Sequence, residues 1–386
     1  MSVKKDSDYL IDIAAKHKYR NQSEEYQRRY LEWRTNPRNP YGYTFVHDTR
    51  VRTYVDGEGY LEETPVDSER TSLSNCYRLM GVTLLIMISV AFVRFLVMKM
   101  LFGVPNSGRT YYSELVTSEK GLPDSVAYSL MILNLLEYAL PLLFLKASTR
   151  MPTKIAVPLR KSKSSTPNAI MMMLVIMAVG RVLNSVTAKL LLKIDMDIPY
   201  YDYIRADSPS AFVICGLVQH VVIGILIEII FRGYLLQIFR QFGDGFAVIV
   251  TAIAGSFMLY DITQLGYMFC VGVFTGMLTI RSGSIKNACL MRIIARSFNF
   301  LVTFIASILG DFGSQMFDLV LCGLLLLSSL LVYIRINSRR RWSFEIGSTA
   351  TSLTMSEKFR LMLLSPWLWM WFVASFVMSL FLIKLL

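Results

Sequence analysis

The sequence predicts an all-α polytopic membrane protein of about nine transmembrane helices with a small N-terminal cytosolic extension. Three observations carry that expectation. Hydrophobic residues fill 54% of the 386 positions and the mean hydropathy is positive, which suits an integral membrane protein and not a soluble enzyme of this length. Apolar runs close to the ~20 residues that a bilayer requires recur along the chain. The charge lies between those runs. Residues 1–75 are nearly neutral, with twelve Lys/Arg against thirteen Asp/Glu, so the net +12 belongs to the membrane part and its loops. A basic excess placed there points to positive-inside topology and to anionic membrane lipids as partners; no nucleic acid is expected.

Taken in order, residues 1–75 form the cytosolic extension and 76–386 the transmembrane domain. The extension has no apolar run, hence no signal peptide is expected at its start. From Asp6 to Trp33 the pattern is an amphipathic helix, stopped by Asn36-Pro37. Residues Val51–Val55 and Tyr60–Glu62 flank Asp56-Gly57-Glu58-Gly59, which suits a hairpin. No catalytic constellation lies here, and a solvated tail is the simplest expectation.

The nine runs are 77–101, 124–146, 168–192, 211–239, 245–260, 264–281, 286–309, 315–335 and 364–385. The fifth is short and the sixth carries several glycines, as tightly packed interior helices do. Loops 147–166 and 336–363 are basic and loop 193–210 is acidic. Nine spans with the N-terminus inside put both basic loops inside and the acidic one outside. Trp367, Trp369 and Trp371 read as an interfacial aromatic belt. The five cysteines are scattered singly and read as packing residues.

Ionisable residues inside apolar runs mark candidate sites, because each is costly in a bilayer. Glu228 and Arg232 stand four apart in Ile227-Glu228-Ile229-Ile230-Phe231-Arg232-Gly233, where they share a helix face. The bland reading is an intrahelical ion pair near a helix end. Phe257 and Asp261 close the fifth run. Arg281-Ser282-Gly283-Ser284-Ile285 links the sixth and seventh runs, and Arg292, Arg296 and Asn299 then fall on one stripe of one helix. His220 is the one membrane histidine. On a regular helix it stands away from the Glu228 face.

Over about residues 211–310 this pattern resembles the CPBP intramembrane metalloproteases, the CAAX-protease and bacteriocin-processing or Abi group. That family carries Glu-Glu-x-x-x-Arg, then Phe-x-x-x-His, then His-x-x-x-Asn after a Gly-Ser-Ile/Leu link. The resemblance implies a four-helix core within the transmembrane domain. It also implies a catalytic metal, zinc in the active reading, held partly by two imidazoles with the first Glu as base. Here the first Glu position is Ile227, the second is Glu228 and the motif arginine is Arg232. The His, His and Asn positions hold Asp261, Arg292 and Arg296. Isoleucine takes no proton and a guanidinium donates no lone pair. An Asp261–Arg292 ion pair in place of the metal is the expected arrangement, with Arg296 either reaching Glu228 or leaving a net positive pocket.

The expectation is therefore a protease-like membrane protein without cofactor or metal. It acts non-catalytically, as a regulator, scaffold or immunity-type protein holding a membrane protein or peptide in the cleft. The competing reading is an active endopeptidase that uses Glu228 as base and Asp261 as a metal ligand. The expected setting is a bacterial plasma membrane with a cytoplasmic N-terminus.

Overall fold

The computed structural model describes residues 24–36, 38–43, 53–55, 59–61, 65–101, 123–159, 166–193, 196–197, 206–260, 262–298, scattered residues of 316–334, 351–382 and 384–385. The elements are α1 (Glu24–Arg34), β1 (Thr53–Val55), β2 (Gly59–Leu61), α2 (Pro65–Leu101), α3 (Asp124–Thr149), α4 (Thr153–Ala156), α5 (Thr166–Leu192) and β3 (Met196–Asp197). They continue as α6 (Pro209–Phe242), α7 (Asp244–Ser256), α8 (Leu265–Ser282), α9 (286–298), α10 (Gly323–Val332), α11 (Met355–Leu364), α12 (Pro366–Leu382) and β4 (Lys384–Leu385).

Five helices among the described residues are long and apolar enough to cross a membrane: Val66–Val97, Asp124–Thr149, Asn168–Leu192, Pro209–Phe242 and Ile262–Ser282. A sixth is counted if α11 and α12, bent by 66° at Ser365–Pro366, form one broken span. The chain is thus a multi-pass helical membrane protein, with five or six such spans among the described residues where nine are expected over the whole chain. Three causes separate the counts. The fifth run ends as the 13-residue helix α7, about 20 Å long against a hydrocarbon core of about 30 Å. The seventh and eighth runs are described only over 286–298 and within Gly323–Val332. The ninth is the second arm of the bent pair.

The spans' ends define two faces. On one, β3 pairs with β4 antiparallel, Met196 opposite Leu385, so the acidic loop and the C-terminal end lie together. The Ser208 backbone N–H donates to Asp124 Oδ1 on the same face. On the other face the ends of α3, α6 and α8 meet α1 and α4. There Trp33 Nε1 donates to the Thr149 carbonyl at 3.0 Å, Tyr30 Oη to the Gln237 carbonyl at 2.7 Å, and the Tyr43 N–H to Gln241 Oε1 at 2.7 Å. Tyr30, Trp33 and Tyr43 are buried. The α1 segment is therefore a packed cap on the membrane domain, where a solvated tail was the simplest expectation. Aromatic bodies supply the apolar contact and their polar tips meet carbonyls left open at helix ends. The hairpin β1–β2 runs antiparallel with Tyr54 opposite Tyr60.

The aromatic cluster in α12 also differs from a simple belt. Trp369 is exposed, but Trp371 is buried against Phe257, ring centroids 5.7 Å apart. Two positions along a helix is about 200° around it, so Trp371 turns to the core where Trp369 turns outward.

Candidate functional site

The site is built on α6. Ser208 caps its start, accepting a hydrogen bond from the Ala211 N–H at 3.2 Å, with Pro209 at the first helical position. Its end is Gly243, at φ 125°, a conformation that favours glycine. Between these ends the rod is not a uniform α-helix. Val218–Val222 and Ile229–Leu235 are π-helical, and such segments gather at functional positions.

Glu228 stands at the junction where the second π segment begins, with no solvent exposure. Arg292, on α9, donates from Nε to Glu228 Oε1 at 2.7 Å and lies 3.5 Å from Met268 Sδ through Nη1. Arg232 Nε is 3.8 Å from Glu228 Oε2. Arg232 spends its hydrogen bonds elsewhere: Nε to Thr275 Oγ1 at 2.9 Å, Nη2 to the Gly272 carbonyl at 2.8 Å and Nη1 to the Thr251 carbonyl at 3.4 Å. One guanidinium thus ties α6 to α7 and α8, and a second closes α9 onto the carboxylate.

Two glycines permit these approaches. A Cβ at Gly272 would lie 3.0 Å from Arg232 Nη2 and 3.0 Å from Ala252. At Gly224, Arg292 and Arg296 pass with their stems 3.7 Å from where a Cβ would stand, so α9 lies flat along α6.

The motif residues are distributed as follows. Glu228, Arg232, Arg292 and Arg296 are buried together between α6, α8 and α9. Ile227 is fully buried beside them. Asp261 and Asn299 fall outside the described residues, so the expected Asp261–Arg292 pair does as well. Of the two expectations for Arg296, reaching Glu228 or leaving a positive pocket, the first is not what the structure shows: Arg292 holds Glu228. Arg292 is one helical turn nearer the start of α9, and the close passage at Gly224 brings it level with Glu228. The Arg281–Ile285 link is a glycine turn: Gly283 sits at φ 61° with its N–H bonded to the Thr279 carbonyl. The Ile285 N–H donates to the Pro158 carbonyl.

A second polar chain, not singled out from the sequence, runs beside this one. Arg94 of α2 pairs with Glu137 of α3 at 2.8 Å and also donates to Asn134 Oδ1; Asn134 in turn donates to Gln219 Oε1 of α6. Glu137 is 1% exposed. Arg296 and Tyr260 lie within electrostatic range of it, and Arg296 within range of buried His220. Tyr260 holds φ 56°, a left-handed conformation that is strained for a tyrosine, at the break between α7 and α8. The signal for Glu137 was present: an acid in mid-run, the same cue that marked Glu228. His220 lies inside a π segment, so α-helical turns counted from Glu228 do not fix its face.

The described residues at the motif positions do not fit the divalent metal that the resemblance implies. Glu228 is held by a cation from the same chain, Ile227 has no lone pair, and Arg292 brings positive charge to a ligand position. Among the described residues, no three His, Cys, Asp or Glu side chains converge. What the arrangement does chemically is neutralise one buried acid and lock three helices around it.

Against known proteins, residues 209–298 match the family model described as type II CAAX prenyl endopeptidase Rce1-like. The matched stretch is about a quarter of the chain and comprises α6 to α9. No curated protein and no solved structure matches the chain.

Proposed function

We propose that this Rce1-like membrane protein is a pseudoprotease, which binds a membrane protein or peptide partner in its intramembrane cleft and does not cleave it. The observation behind the reading is the Arg292 Nε to Glu228 Oε1 contact of 2.7 Å at a fully buried carboxylate. A carboxylate held between Arg292 and Arg232 keeps its charge matched and offers little to a metal ion or an attacking water. Such a core serves as a scaffold, a regulator or an immunity-type protein. The basic loops 147–166 and 336–363 support a cytoplasmic placement of the α1 face.

The test is the metal content of the purified, detergent-solubilised protein after zinc loading and washing, beside an Asp261→Ala control. Zinc held no better than in the control is the expected result. About one zinc per chain, lost in the control, overturns the reading and restores the active endopeptidase that the family match favours. A peptidase activity lost in Glu228→Gln does the same.

A further inference from the structure

A cleft of about 560 Å³ opens on the α1 face, away from the buried site, and its walls come from four elements. They are α1 (Tyr26, Arg29), α4 with the link after it (Lys154, Leu159), the end of α6 (Gln237, Arg240) and the turn closing α8 (Gly283). Ligand sites commonly enclose about 300–1,000 Å³. This one stands where three spans end, the height at which lipid headgroups lie: α3 stops at Thr149, α6 at Phe242 and α8 at Ser282.

The lining carries three bases and one acid, Glu25. Arg29 pairs with Glu25 at 2.7 Å and Arg240 with Asp244 at 2.8 Å. Lys154 is exposed, and no carboxylate among the described residues pairs with it. The cleft therefore keeps a net positive charge centred on Lys154. The same wall is apolar at Val157, Pro158 and Leu159, and Leu159 is 60% exposed. A free phosphate gains nothing from an exposed leucine. An amphiphile with an anionic head gains from both. Tyr26 and Arg240 form the back of the cleft, where Arg240 Nη1 donates to Tyr26 Oη at 3.2 Å and to Gln237 Oε1 at 3.1 Å. An occupant would therefore touch the contacts that dock α1.

We infer that this cleft binds the phosphate-bearing headgroup of an anionic phospholipid, with Lys154 as its principal charge contact, and that the bound lipid clamps α1 to the membrane domain. The inference is independent of whether the buried site cleaves peptides.

The test uses the full chain in uncharged detergent, titrated with dihexanoyl phosphatidylglycerol, dihexanoyl phosphatidylcholine or inorganic phosphate. Proteolysis within 24–34 is the readout. Phosphatidylglycerol should protect α1, the other two should not, and Lys154→Glu should raise the half-protecting concentration about five- to tenfold. Lys189→Glu, at the other end of α5, should leave it unchanged. Lys154→Gln, expected to fold as the wild type because the side chain is exposed, should shift it in the same direction. Equal protection by phosphatidylcholine overturns the charge recognition, and equal protection by inorganic phosphate overturns the lipid. An unchanged titration in both Lys154 variants overturns the site.

Discussion

Arg292 donates from Nε to Glu228 Oε1 at 2.7 Å, across 64 positions of sequence, and both side chains are buried. Removing one partner of a buried pair strands a charge, which costs about 3–5 kcal/mol, whereas removing both can be nearly neutral. Arg292→Met and Glu228→Gln are each expected to lower the thermal midpoint strongly. The double variant should recover much of the loss. Midpoints that add without coupling would mean that the two side chains do not depend on each other.

Arg232 binds the Thr275 hydroxyl and the Gly272 and Thr251 carbonyls. Thr275→Val removes one acceptor from a buried guanidinium, at a cost of about 1–3 kcal/mol. Arg232→Lys should cost more, because the three donors of an ammonium radiate from one nitrogen and lack the planar fork that reaches acceptors spread over two helices. Denaturant unfolding in detergent gives the order; a harmless Arg232→Lys would contradict it.

Much of this core could be read from the sequence, and the reasons are specific. Glu228 and Arg232 stood out because charges in an apolar run are rare, and the Arg281–Ile285 turn because it is a polar link between two apolar runs. What could not be read is lateral. Hydropathy places Arg292 and Arg296 on one stripe but does not say which is level with Glu228; that depends on how closely α9 passes Gly224. The π segments of α6 change which residues share a face without changing the apolar pattern, so the side of the helix that His220 takes cannot be counted from Glu228. Hydropathy does not report where a helix stops short, as α7 does at Ser256, or bends, as at Ser365. The docking of α1 rests on tyrosine and tryptophan tips meeting helix-end carbonyls, contacts that no periodicity reports.

Two of the three glycines of α6, Gly233 and Gly224, should respond oppositely to the same substitution. A Cβ at Gly233 would come within 2.6 Å of the Ala156 carbonyl oxygen, a backbone atom that cannot turn aside. At Gly224 the nearest atoms are 3.7 Å away, an ordinary contact. Gly233→Ala should therefore push α4 off α6 and destabilise by about 1–3 kcal/mol. Gly224→Ala should be neutral or slightly stabilising, since alanine is the better helix former. Equal midpoints for the two variants would show that α4 moves freely against α6.

The docking of α1 should weaken at high pH, and the sign follows from Tyr30. Burial raises its pKa above the ordinary 10.0, against the opposing pull of Arg34 and Arg240. A raised pKa means that the folded state prefers the neutral phenol, whose Oη donates to the Gln237 carbonyl at 2.7 Å. That contribution is complete below pH 10 and is lost as the pH climbs from there toward the folded value. Tyr30→Phe removes the hydrogen bond, at a cost of about 1 kcal/mol at neutral pH. It also removes a group that would have to ionise. The thermal midpoint of the wild type should hence be the higher at pH 8, and it should fall more steeply than that of Tyr30→Phe between pH 9 and 11. Parallel curves over that window would mean that Tyr30 does not report the docked state.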